Sequence, residues 1–206
     1  MKRRAVLWLA TLGAILVSLP AVAGQYLLSV MTLFLFFAYA GQAWNIMMGF
    51  AGQLSLGHSL YLGVGAYAAA GLYFHFGIGP WAGLWLSIAL CVVLGATIGA
   101  LAFRYGVAGV YFTLLTIAFA EFSRIGLDHF AWLGGSGGMF LKVAERDRID
   151  LLNLRGTPAM FYYVILALTA AALALSAWLL HSRAGFYWQA IRENEDAAQA
   201  LGINTF

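Results

Sequence analysis

The chain of 206 residues is 63% hydrophobic and 9% charged, whereas an ordinary soluble domain carries roughly a quarter of its residues as charges. That balance sets it apart from soluble domains and places it in a bilayer. A net charge of +3, spread over scattered residues such as Lys2, Arg104, Arg124, Arg148 and Arg192, excludes a nucleic-acid stripe, and a single cysteine, Cys91, excludes an intrachain disulfide or a multi-cysteine metal site.

A helix crossing the hydrocarbon core needs about 20 mostly apolar residues, and six runs approach that length. They cover residues 5–23, 26–48, 57–76, 81–103, 110–127 and 159–180, leaving almost all the charge in 104–109, 128–158 and 181–206. The expected fold is therefore all-α, a polytopic membrane protein of about six transmembrane helices forming a single domain over 1–206. Lys2, Arg3 and Arg4 put the N-terminus in the cytoplasm, because cytoplasmic flanks collect Lys and Arg. Six crossings then set Arg104 inside, the 128–158 loop outside and the tail from His181 inside. The outer loop is the weakest part of that assignment: its Lys142, Arg146, Arg148 and Arg155 are offset by Asp128, Glu145, Asp147 and Asp150. The first run has a second reading, since "MKRR", an apolar stretch and "AVAG" at 21–24 resemble a secretory signal with its cleavage site. The later topology is the same either way.

Helices in lipid gain no hydrophobic drive toward one another, so small residues that permit close approach mark the packing faces. Cys91, Gly95 and Gly99 repeat every four residues in the fourth run, and Ala167, Ala170, Ala171 and Ala174 do so in the sixth. Trp81 and Trp85, and Tyr162 and Tyr163, read as anchors at the membrane interface.

Between the second and third runs lies "GFAGQLSLGHSLYLGVGAYAAA", residues 49–70, which mixes glycines with Gln53, Ser55, His58 and Ser59. Non-helical backbone at membrane depth survives only when buried in protein or facing a watery cavity, and broken helices line the paths of transporters. On that reading Gly52, Gln53, Ser55, Gly57 and His58 form a helix break or tight helix entry beside a translocation path, with Ser55 capping the next helix. A plain loop whose glycines allow tight packing explains the same residues, and chemistry alone leaves the two readings level. His58 suits a structural hydrogen bond better than a proton relay. Glu121 and Arg124, three apart in the fifth run, are placed to neutralise each other near its outer end, with contact to a zwitterionic solute as the alternative. His75, His129 and His181 lie near run ends and carry no specific signal.

The tail has its own logic. Asn194 can cap a short helix, Glu195 and Asp196 then occupy its first turn, where the helix dipole favours anions, and Gly202 can end it. Ala197, Ala198 and Leu201 fall on one small apolar face, and Arg192 is spaced to pair with Asp196. That face is thin for a lipid anchor and suits a groove on a protein partner better.

Three blocks in order carry a resemblance. Residues 49–70, "RYGVAGVYFTLLTIAFAEFSR" at 104–124 and "RAGFYWQAIRENEDAAQALGIN" at 183–204 are together similar to the M-type permease subunits of branched-chain amino acid ABC importers, with "GGSGG" at 134–138 a looser match. The resemblance spans about 26–206. It implies that 181–206 is the cytoplasmic ATPase-coupling loop, whose coupling residues correspond to Arg192, Glu195, Asp196, Ala197, Ala198 and Gly202. Asp196 stands where the coupling motif has Glu. The sequence ends at Phe206, soon after this loop, so the resemblance implies a partial permease domain. It also implies a bacterial inner-membrane importer for branched-chain or similar apolar amino acids. The implied partners are a second permease subunit, two ABC ATPase subunits and a periplasmic solute-binding protein. No phosphate-binding Gly–Lys loop is present, so ATP is expected to be used by the partner ATPases, with no cofactor, metal or catalytic residue in this chain. A urea or short-amide permease is the nearest alternative. An ion-coupled transporter should show mid-span carboxylates, where only Glu121 comes close, and an intramembrane hydrolase built on Ser55 and His58 lacks a second mid-span histidine and an oxyanion site.

Overall fold

The computed structural model describes residues 2–140 and 156–204, with the side chains of 2–7, 9 and 10 left aside. Among them there is helix and no strand. Six long helices succeed one another: α1 Lys2–Val22, α2 Gln25–Asn45, α3 His58–Phe76, α4 Pro80–Arg104, α5 Val110–His129 and α6 Pro158–Leu180. Two short ones close the described chain, α7 Arg183–Glu193 and α8 Glu195–Ala200. The apolar runs thus become helices with boundaries shifted by a few residues. Gly77 at φ 64° stops α3, while Pro80 and Pro158 open α4 and α6 at positions where a missing N–H costs nothing. The charged outer-loop residues from Lys142 to Arg155 lie outside the described residues.

Among the described residues, four helical segments are long and apolar enough to cross a membrane: Gln25–Phe50, Pro80–Arg104, Val110–His129 and Pro158–Leu180. Thr11–Val22 of α1 is a shorter apolar stretch. In α3, glycines, three tyrosines and two histidines dilute the apolar content, and the helix finds its place by packing on α4 and α5. The chain is a multi-pass, all-α membrane protein.

Two helix groups make up the bundle. In the first, α2 and α6 pack along their length around Leu28, Leu35, Tyr162 and Ile165, with Leu19 and Ala23 from the end of α1 against them. The interfacial reading of Tyr162 is corrected here: its ring is 0% exposed and its hydroxyl donates to the Leu16 carbonyl at 2.7 Å. The reason lies four residues on from Leu16. Pro20 has no N–H to return to that carbonyl, so α1 carries an open acceptor that Tyr162 closes. Tyr163 reaches the next carbonyl, Val17, at 3.1 Å. Replacing Tyr162 by Phe is expected to cost about 1–2 kcal/mol in a detergent unfolding titration, because the Leu16 carbonyl loses its donor in an apolar place. Pro20→Ala should recover part of that loss by restoring a helical N–H, and an equal loss in both backgrounds would refute the account.

The alanine stripe of α6 is also corrected. Ala167, Ala170, Ala171 and Ala174 are all exposed, whereas the face toward α2 carries Tyr162, Ile165, Thr169 and Ser176. Thr169 donates to the Leu35 carbonyl across the interface at 3.2 Å.

The second group is α3, α4 and α5. Here the small-residue stripe of α4 does pack, running from Gly83 through Ser87 and Cys91 to Gly95 against Ala69, Gly65 and Tyr61 of α3. Ser87 donates to the Gly65 carbonyl at 2.8 Å and Cys91 to the Tyr61 carbonyl at 3.4 Å, so the close approach is fixed by bonds to backbone. Gly99 instead faces Phe103 of its own helix. At the far end of α3, His75 stacks on Trp132 and its Nε2 lies 2.8 Å from the Trp132 carbonyl. The glycine-rich 134–138 turn folds back along the end of α5 there, with φ values above zero at Gly134, Gly135 and Gly138.

Candidate functional site

The two helix groups meet at residues 46–57. After Asn45 the helix widens into a π turn, Ile46–Phe50, and α3 does not begin until His58. Gly52 adopts φ 69°, a conformation that only glycine takes without strain, and the N–H groups of Gly52 and Gln53 close back on the carbonyls of Met48 and Met47, each at 3.2 Å. Beyond it the backbone has no regular structure as far as Gly57. A widened turn, then glycine, then irregular chain separates α2 from α3.

Such backbone needs partners, and α5 supplies most of them. Thr113 Oγ1 donates to the Leu54 carbonyl at 2.9 Å, and the Leu56 N–H donates to Thr116 Oγ1 at 3.3 Å. Trp44 Nε1 donates to the Ser55 carbonyl at 2.8 Å. Thr116 lies about 9 Å along α5 from its first residue, given a rise of ~1.5 Å per residue, so the interruption dips below the helix ends. At Gly57 the approach is closest: a methyl group there would collide with the Thr116 carbonyl and its carbon.

The Ser55 cap is corrected. Gly57, not Ser55, holds the cap position of α3, and no side chain caps it. Ser55, 1% exposed, instead accepts the Gly57 N–H at 3.4 Å and so closes the irregular stretch on itself. His58 sits at the start of α3 with its ring edge toward Tyr61, and its Nδ1 is buried without a hydrogen-bond partner.

The tail reaches this interruption. A tight corner joins α6 to α7, where Gly185 lies so close to the Leu179 carbonyl that no larger residue fits, and Ser182 accepts the Gly185 N–H at 3.1 Å. From α7, Arg192 donates through one guanidinium nitrogen to the Gly49 carbonyl and lays its aliphatic stem against Gly52. Its other nitrogen pairs with Glu193 at 2.8 Å. The expected Arg192–Asp196 pair is therefore corrected. Asn194, at φ −162° and ψ 111°, breaks the helix between them, so the four-residue spacing no longer puts both on one face.

In α8, Asn194 Oδ1 accepts the Ala197 N–H at 2.9 Å, Glu195 and Asp196 fill the first turn, and Gly202 comes after the end at φ 83°. The small face does not act as one. Ala198 is 2% exposed, whereas Ala197 is exposed and Leu201 is 82% exposed.

Glu121 and Arg124 form an ion pair at 2.9 Å, exposed on α5, and Asp128 adds a second carboxylate to the same guanidinium at 3.2 Å. The cluster thus carries one more negative than positive charge. It lies toward the opposite end of α5 from the interruption, so the structure does not bring the two together.

Sequence reasoning named Gly52, Gly57 and Arg192 but not the contact between the first and the last, and it missed Thr113, Thr116, Trp44 and Asp128. The two threonines share a face of an apolar helix, but each hydroxyl can also bond a carbonyl one turn back, as both do, so no clear sign of their contact with the interruption was legible in the sequence.

The family model for the branched-chain amino acid transport system permease component matches residues 26–206. Two curated relatives are similar, the high-affinity branched-chain amino acid transport system permease proteins LivM of Escherichia coli strain K12 and of Salmonella typhimurium strain LT2. Each is 26% identical over 219 residues, covering 96% of this chain and 51% of the relative. The chain thus spans about half the length of the curated relatives it matches. No solved structure gives a significant match. With that match running from the start of α2 through the interruption to the end of the tail, the chain belongs to the family of branched-chain amino acid transport system permease components.

Proposed function

We propose that this chain is a membrane subunit of an ATP-driven importer for branched-chain or similar apolar amino acids, without catalytic activity of its own. The observation that carries the reading is α8: a capped helix of six residues with Ala198 buried, Ala197 exposed and Leu201 exposed just past its end, following α7 at the end of the bundle. So short a helix has no stability of its own, and α7 together with a docking partner would hold it. The partner that fits is an ATPase subunit whose motion α8 receives. A second permease subunit would cover part of the exposed helix surface, and a periplasmic binding protein would deliver the solute from the other side. On this reading the membrane is the bacterial inner membrane, the end bearing α7 and α8 is cytoplasmic, and the N-terminus lies on that same side.

The interruption at 52–57 is the mobile part of the path. From Leu54 to Leu56 its backbone is bonded by side chains rather than by helical turns, so that part can rearrange without unwinding a helix. Each ligand or nucleotide shifts the inward–outward equilibrium only by its differential affinity for the two states. The test is uptake of labelled leucine, isoleucine and valine into proteoliposomes carrying this chain, within its full-length protein, assembled with its partner permease, ATPase and binding-protein subunits. ATP-dependent uptake that urea does not compete is the expected result. Urea competition would favour a short-amide permease, and uptake driven by an ion gradient without ATP would overturn the reading.

A further inference from the structure

The bundle has an unusual weak line. The group α1, α2 and α6 and the group α3, α4 and α5 each pack internally, and they are joined chiefly through residues 46–57, against which α7 packs from the side of α6. At that junction one side chain touches both the end of the first group and the start of the interruption. Arg192 bonds the Gly49 carbonyl, inside the π turn, and its stem covers Gly52, the left-handed residue at which the chain turns toward α3. One feature of the sequence is there to admit it: Gly52 has no side chain where the Arg192 stem lies.

A π turn contains one residue more than the α-helix around it requires, and its carbonyls are less well satisfied within the helix. A charged donor from outside the helix supplies one of those carbonyls, Gly49, with a partner, and removing the donor leaves that carbonyl short of it just before the chain turns at Gly52.

We propose that Arg192 is the positioning residue through which the tail acts on the helix interruption: movement of α7 and α8 is transmitted to the junction of the two helix groups by the Arg192–Gly49 bond and the Arg192–Gly52 contact. The inference rests on the importer reading, since it takes α8 as the point of input. It adds the mechanical link within this chain. Glu193 beside it holds the second nitrogen and so keeps the guanidinium oriented toward Gly49.

The experiment compares Arg192→Met, which keeps the aliphatic stem over Gly52 and loses the donors, with Arg192→Lys, which keeps one charged donor. Both are read in the assembled transporter by two quantities: copurification of the ATPase, and the number of solute molecules imported per ATP hydrolysed. The expected result is normal copurification for both. The solute-to-ATP ratio should fall about tenfold for Met, as loss of a charge-assisted bond predicts, and be partly restored by Lys. An unchanged ratio for Met overturns the proposal. So does loss of the ATPase from the Met variant, which would place Arg192 in docking instead of transmission. The importer reading fails separately, if the unsubstituted transporter takes up these amino acids without ATP.

Discussion

Gly57→Ala is expected to reduce transport by at least about 100-fold while the chain still inserts into the membrane. The added methyl would point into the Thr116 carbonyl, which is backbone in the middle of a helix turn and cannot swing aside. Relief requires moving α3 away from α5, and that breaks the bonds from Thr113 and Thr116 that satisfy the irregular backbone. Overpacking of this kind costs about 1–3 kcal/mol before the lost bonds are counted, and each buried carbonyl or N–H left open adds about 1–3 more. Gly63→Ala is the matched control, since nothing lies within 4 Å of the position its methyl would take. The variants are compared by uptake rate and by membrane-inserted protein per cell. Equal uptake for Gly57→Ala and Gly63→Ala would show that the close approach of α3 to α5 has no part in transport.

The second large effect is expected from α8, and burial divides it between two adjacent alanines. Ala197 is exposed, so Ala197→Trp should leave the α7–α8 hairpin folded and abolish copurification of the ATPase by filling the groove into which α8 docks. Ala198 is packed inside the chain, so Ala198→Trp should instead dislodge α8. The distinction is measurable by limited proteolysis of the tail: protected as in the native chain for Ala197→Trp, newly cleaved near Asn194 for Ala198→Trp. If the ATPase still copurifies with Ala197→Trp and is still stimulated by loaded binding protein, α8 is not the docking element.

The positions of the long helices were legible because apolar runs of about 20 residues leave little choice of structure in lipid. Which face of each helix meets protein was legible only in part. Hydropathy separates inside from outside when the outside is water; when it is lipid, both faces are apolar and the contrast disappears. Hence the alanines of α6 looked like a packing stripe and proved exposed, while Thr169 and Ser176 proved buried. The stripe of α4 was readable in part: Cys91 and Gly95 lie against α3 as their spacing suggests, whereas Gly99 faces Phe103 of its own helix. At the site, Gly52 and Gly57 were named from the sequence, although its chemistry alone fitted a helix break and a plain loop equally well. Their partners were not legible. The Arg192–Gly49 bond links residues 143 apart, and no local pattern encodes such a pairing. Asn194 was recognised as a cap, and the same cap breaks the helix that an Arg192–Asp196 pair would need.

The bond from Tyr162 to the Leu16 carbonyl also has a consequence in time. The two residues are 146 apart, so a ribosome adding about 5–20 residues per second reaches Tyr162 roughly 7–30 s after Leu16. Throughout that interval the carbonyl opened by Pro20 is without this donor, and water or another polar group has to serve it. The bonding of α1 is thus completed only when the sixth helix is in place.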